Sequence, residues 1–154
     1  IFRLSYHFIR LSLQMASQDH IEVKRSNLPG AGKGLFARYF IPKKTVIAEY
    51  KGRITTWAAV KQDNASNGYL YYINRHHVID ARHYKKSKAR YANDARGLQR
   101  IKGFLNNAVY IEKNGRVFIE STRDIAPNEE ILVNYGKEYW DAIRYNQKIS
   151  AKEK

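Results

Sequence analysis

The chain has 154 residues, 44% of them hydrophobic, and a formal net charge of +14; that length fits one domain able to bury a core of its own. It contains no cysteine, which excludes disulfides, thiolate catalysis and every cysteine-based zinc site and fits a reducing compartment. Twelve tyrosines dominate an aromatic share of 13%, and tyrosine, with apolar area and a polar tip, suits binding surfaces as well as sheets.

A charge of this sign and size speaks of partners: lysine-rich surfaces bind phosphate backbones and other acidic surfaces, or simply keep a protein soluble. No run is long and apolar enough to span a membrane. The first residues, "IFRLSYHFIRLSLQ", carry two arginines and no acid, with Ile1, Leu4, Phe8 and Leu11 at helical spacing, a composition like that of a mitochondrial presequence. Met15 then opens "MASQDHIEV", which reads as an ordinary translation start. Residues 1–19 are therefore expected to be an N-terminal extension without a catalytic role, residues 20–146 the domain, and residues 147–154 a charged, frayed C-terminal tail.

From residue 21 the signals are mostly strands. "IEVKRS" alternates, "NLPGAGKG" is a glycine-rich turn, and "LFARYF" and "TVIAEYKG" are apolar runs bounded by turn residues. "ITTWAAVKQ" reads as a short helix ending in the polar loop "DNASNG". "YLYYIN" and "HVIDA" read as a pair of strands, "SKARYAND" as a helical turn, and "RGLQRIKGFLNN" as an irregular loop. Two alternating runs flank Asn114-Gly115, the signature of a type I′ hairpin. "RDIAPNEE" turns into a last strand, and "GKEYWDAIRYN" closes as a helix. The pattern is that of one β-rich α+β domain of many short strands.

Several motifs carry more than one reading. "PGAGKG" is neither a P-loop, because Gly34 stands where Ser or Thr would reach a metal, nor a dinucleotide fingerprint, because its glycines run into a strand. It remains either a plain turn or a backbone able to approach a ligand and offer it N–H groups. His76, His77 and His83 lie near Asp80, but strand alternation sends neighbours to opposite faces, so no metal site is expected. The segment from Arg75 to Lys102 holds nine lysines and arginines against Asp80 and Asp94, and is either a solvated face or a docking surface for nucleic acid or an acidic protein patch.

Taken in order, six pieces resemble the SET-domain protein lysine methyltransferases: "GAGKGLFA", "AEYKG", "GYLYY", "VIDA", "RYAND" and "NEEILVNYGKEYW", spread over residues 21–140. The resemblance implies a β-clip-type SET fold of small sheets, in which the C-terminal segment threads under a preceding loop as a pseudoknot. It departs from the family in three ways. Asn93-Asp94 stands where Asn-His is usual, Asn106-Asn107 is the nearest match to the usual Pro-Asn, and the cysteine-rich zinc modules are absent. The chain is similar to the compact members.

The resemblance also implies a chemistry: methyl transfer from S-adenosylmethionine to a lysine side-chain nitrogen, without a metal. By match to the family's motifs, Tyr135, Tyr50 and Tyr69 are the catalytic candidates. Ala31, Gly32, Lys33, Tyr69, Arg90, Asn93, Asp94 and Tyr135 are the cofactor-binding candidates. Tyr50, Tyr69, Val133, Tyr139 and Trp140 are the candidates for the substrate channel. Histone is the expected substrate, nucleosomal DNA a further contact for the basic surface, and the nucleus the expected location, with an organelle left open by residues 1–14. Asp94 motivates a second reading, a SET-like peptide or nucleosome reader that has lost catalysis. The charge motivates a third, a nucleic-acid binder.

Overall fold

The computed structural model describes residues 16, 18–63, 66–97 and 100–152. The presequence-like spacing of residues 1–11 lies outside them. Among the described residues, nine short strands form three three-stranded antiparallel sheets. β1 (Ile21–Arg25), β2 (Lys33–Ala37) and β9 (Glu130–Ile131) make the first, with β2 in the middle. β3 (Val46–Glu49), β8 (Arg116–Ser121) and β7 (Ala108–Lys113) make the second around β8, and β4 (Arg53–Thr55), β6 (His77–Asp80) and β5 (Leu70–Asn74) the third around β6. The central strands carry continuous buried runs, Gly34–Ala37, Val117–Ile119 and Val78–Ile79, and so do the edge strands β3 at Val46–Ala48 and β9 at Glu130–Ile131. A strand covered on both faces has no reason to alternate.

The expected hairpin is present, with Asn114 and Gly115 at φ 51° and 71°, the two positive values that a type I′ turn requires. The main core gathers Ile21, Leu35, Ile47, Ile79, Ile119 and Ile131 from all three sheets. Two expectations are corrected. The "ITTWAAVKQ" stretch divides: β-branched Ile54 and Thr55 pair with Ile79 and Val78 in β4, and helix α1 spans only Trp57–Val60, capped by the Thr56 hydroxyl accepting from Ala59 N. The closing helix α2 runs Lys137–Lys152, so most of the segment expected to fray is helical.

The C-terminal segment after β9 lies between two earlier loops. Val133 N donates to Asn93 O at 2.8 Å on one side, and Asn107 N and Ala108 N donate to Leu132 O at 2.9 and 3.0 Å on the other. The buried Asn107 side chain completes the junction, donating to Glu130 O at 2.8 Å and accepting from Leu132 N at 2.9 Å. "RYAND" and "EEILVNYG" therefore sit side by side, the crossing that the pseudoknot required.

Candidate active site

A cavity of about 880 Å³ opens where these segments meet, within the usual size range of small-molecule sites. Its walls are the β1–β2 turn, the 3₁₀ turn Lys88–Tyr91 with the residues after it, the start of β5, and the first turn of α2. Of the twelve residues singled out in the sequence, all but Val133 line it. Val133 is fully buried in the main core, its backbone bridged to Ala108, and does not face the cavity. Tyr71 and Tyr110 line the wall instead, packed against Tyr50 at ring separations of 6.0 and 5.8 Å. Strand alternation offered a signal for Tyr71, which stands two residues beyond Tyr69 on the same strand-like run. Nothing local marked Tyr110.

The glycine turn shapes one end. Gly30 and Gly32 hold φ of 74° and 71°, a region that residues with a Cβ rarely adopt. Its approach is fixed by Glu130, whose carboxylate accepts from Ser26 Oγ at 2.6 Å, Asn27 N at 2.8 Å and Asn93 Nδ2 at 3.3 Å. Asn93 Nδ2 also donates to Lys33 O at 3.0 Å, tying the turn to the "RYAND" loop.

Tyrosines hold the other end. Tyr135 donates its hydroxyl proton to Ala92 O at 2.6 Å, and Tyr50 donates its own to Tyr69 O at 3.0 Å. With the protons committed to backbone carbonyls, both oxygens offer lone pairs to the cavity. Burial pushes the phenols of Tyr135, Tyr50 and Tyr110 well above the ordinary tyrosine value, with neighbouring phenols and carboxylates adding to it and the Arg90 guanidinium opposing it at Tyr50. Tyr71 is pushed up to about 12, by burial first and then by Glu112, which accepts its hydroxyl proton at 3.1 Å. These hydroxyls stay neutral at every physiological pH.

Tyr135 reaches this position because Gly136, at φ 91°, lets the chain turn sharply into α2. Tyr139 and Trp140 then fold back over Tyr135, edge-on at 4.9 Å and stacked at 5.9 Å. Asp94 lines the cavity, but its carboxylate is turned to the protein: it accepts from Arg96 N, Asn106 Nδ2, Tyr135 N and the Trp140 indole.

The SET domain family model matches residues 32–136, which include the glycine turn, the "RYAND" loop and the Tyr135 corner. The chain belongs to the SET domain family. A relative from Caenorhabditis elegans, named Histone-lysine N-methyltransferase set-17, is 32% identical over 121 residues, which are 76% of this chain and 41% of that protein. The chain thus spans about two fifths of the curated relative it matches. Among solved structures, the methyltransferase domain of human PR domain-containing protein 2 superposes with a TM-score of 0.57 at 27% identity, over 76% of this chain and 77% of that one.

SET methyltransferases in general use S-adenosylmethionine, and the residues of this SET domain fit such a group. The Arg90 guanidinium lies 3.9 Å over the Tyr69 ring, and its buried Nε has no hydrogen-bond partner among the described residues. A buried donor without an acceptor is what a bound carboxylate would satisfy. Lys33 forms no ion pair among the described residues and adds a point charge at the same end. The tyrosine rings suit a sulfonium cation through their negative faces. Among the described residues no group of three or more His, Asp or Glu is placed to hold a metal ion.

Proposed function

We propose that this SET domain is an S-adenosylmethionine-dependent protein-lysine N-methyltransferase acting on histone in the nucleus. The observation that carries the reading is the pair of buried, neutral tyrosine hydroxyls, Tyr135 and Tyr50, whose protons are held by backbone carbonyls inside one tyrosine-walled cavity.

When bound, S-adenosylmethionine supplies an electrophilic methyl that a neutral lysine amine takes by in-line displacement, forming a C–N bond as the C–S bond breaks. Arg90 and Lys33 would hold the cofactor's carboxylate end, and Asn93 and the Gly30–Gly32 turn would border it. Tyr50, Tyr71 and Tyr110 would wall the aliphatic stem of the lysine. The Tyr50 and Tyr135 oxygens would accept N–H and polarised C–H groups, aiming the nitrogen lone pair at the methyl carbon. Holding the two reactants in line can lower the barrier by on the order of 7–11 kcal/mol. Dry aromatic walls disfavour the ammonium form of the entering lysine.

Substrate class follows from charge. Asp80 is engaged by Asn67, Arg82 N and Arg53, and Asp94 by its four donors, so the basic segment around them presents Lys85, Lys86, Arg96, Arg100 and Lys102 to solvent beside the cavity. A nucleosome offers DNA phosphates to that face while a histone tail enters the cavity. Asp94 does not support the reading of a site that has lost catalysis: it is saturated by the protein's own donors and leaves the cavity intact.

The test is intact-mass analysis of histones and nucleosomes incubated with S-adenosylmethionine, for the parent and for Tyr135→Phe. Methylene-sized mass steps in the parent, reduced roughly 100-fold or more in rate in the variant, are expected. No mass gain on any substrate, together with no cofactor binding by calorimetry, would overturn the proposal.

A further inference from the structure

Asp94 is 5% exposed, and its four hydrogen bonds come from three separate segments. Oδ1 accepts from Arg96 N and Asn106 Nδ2, each at 2.8 Å, and Oδ2 accepts from Tyr135 N at 2.9 Å and Trp140 Nε1 at 2.8 Å. A carboxylate has about four lone-pair sites, so none is left for a cofactor. Tyr135 is thereby held at both ends by one short stretch: its amide by Asp94, its hydroxyl by Ala92.

The same carboxylate anchors α2. Of the α2 residues whose exposure is described, Tyr139, Trp140 and Ile143 are half-buried and the others exposed, so the helix rests on the domain by its first two turns. Close approach there is built in: a Cβ at Gly68 would lie 3.3 Å from the Tyr139 hydroxyl, and one at Gly97 3.3 Å from the Trp140 ring. The Trp140 indole N–H is the polar contact of that first turn with the domain body, and the ring it belongs to stacks on Tyr135.

We propose that Asp94 is a positioning residue, which uses one carboxylate to fix the Tyr135 amide and to latch Trp140, and with it α2, over the cavity. Under the methyltransferase reading, on which its catalytic consequence rests, the latch sets where the Tyr135 hydroxyl stands and how well water is kept from the site. An isosteric amide cannot substitute. An Asn carboxamide at this position would turn its NH₂ either to Tyr135 N and Trp140 Nε1 or to Arg96 N and Asn106 Nδ2, and donors would face donors in both cases.

The experiment uses Asp94→Asn, Trp140→Phe and the double variant, all in the full chain carrying Trp57→Phe, so that Trp140 is the reporting tryptophan. Trp57 packs on Tyr72 and does not line the cavity. Asp94→Asn is expected to shift Trp140 emission to the red, as the indole gains water. It should also lower kcat roughly 10- to 100-fold, with a smaller change in the KM for histone. Trp140→Phe, which keeps an aromatic ring but loses the indole N–H and part of the ring area, is expected to lower kcat in the same direction, and the double variant to fall short of the product of the two effects. Unchanged emission in Asp94→Asn, or multiplicative effects in the double variant, would overturn the latch. If the parent transfers no methyl group, the proposed activity fails while the emission shift still judges the latch. If Asp94→Asn does not fold, Trp140→Phe at parental kcat would refute it alone.

Discussion

Asn107→Ala is the perturbation that most directly tests how the chain crossing is held. The side chain is 1% exposed and bridges the loop before β7 to the segment after β9, donating to Glu130 O and accepting from Leu132 N. Glu130 and Leu132 are each 3% exposed, so truncation strands one carbonyl and one N–H away from water. Each stranded group costs about 1–3 kcal/mol, which puts the total at roughly 2–6 kcal/mol. At about 2–4 °C per kcal/mol for a chain of this size, the melting temperature should fall by about 10 °C. Circular dichroism melts, with urea titrations to obtain the free energy, would measure it. Asn106→Ala is the internal control: its half-buried amide bridges only Ala95 N and Asp94, and should cost about 1–2 kcal/mol. Melting of Asn107→Ala within about 2 °C of the parent, or equal losses in the two variants, would show that the crossing is held by packing instead.

Two further outcomes follow from charge. Reversing Lys85 and Lys86 to Glu, both exposed and neither lining the cavity, should slow methylation of nucleosomes and flatten its salt dependence while leaving a histone-tail peptide unaffected; equal loss on the peptide would refute a DNA-facing role. Stability should fall at both extremes of pH. The Glu49 carboxyl is held below its ordinary value of 4.5 mainly by the Arg116 fork at 2.8 and 2.6 Å. Burial works to raise Asp80, but the Arg82 N–H and the Asn67 amide outweigh it. Depressed carboxyls contribute stability that is present above about pH 4–4.5 and lost as pH falls through their folded values. Raised phenols act oppositely: Tyr71 moves from 10.0 to about 12, so its contribution is whole below pH 10 and lost as pH climbs through that window. Urea midpoints across pH would show the two slopes, and a flat profile above pH 10 would contradict the buried phenols.

Local chemistry made much of this legible. The glycine-rich stretch marked a turn with room for a ligand, Asn114-Gly115 marked the hairpin, and "HVIDA" marked a strand. The β4 strand was hidden because three residues carry too little periodicity, and their pairing with β6 lies more than twenty residues away. Val133 was placed by motif match, yet a residue next to a crossing faces whichever side its neighbours leave open, here the core. The partners of Asp94 lie as far as 46 residues along the chain, a relation no local pattern carries.

The two buried acids beside the cavity lead to a last consequence. Asp94 and Glu130 are 5% and 3% exposed in a chain of net charge +14, yet neither forms an ion pair among the described residues. Each accepts N–H or O–H donors from the loops it joins and so fixes the chain there, Asp94 with its four acceptor sites taken and Glu130 outside the cavity lining. The cavity tyrosines are neutral donors and acceptors, too weakly acidic to exchange protons near neutrality. On the proposed methyltransferase reading, the entering lysine must then lose its proton to water before it is enclosed. For a free lysine titrating near about 10.4, kcat/KM should climb about tenfold per pH unit from pH 7 to 9, along a single ascending limb. A plateau or a descending limb below pH 9 would mean that a titrating group of the protein takes the proton, and would refute the assignment of both carboxylates as purely positional.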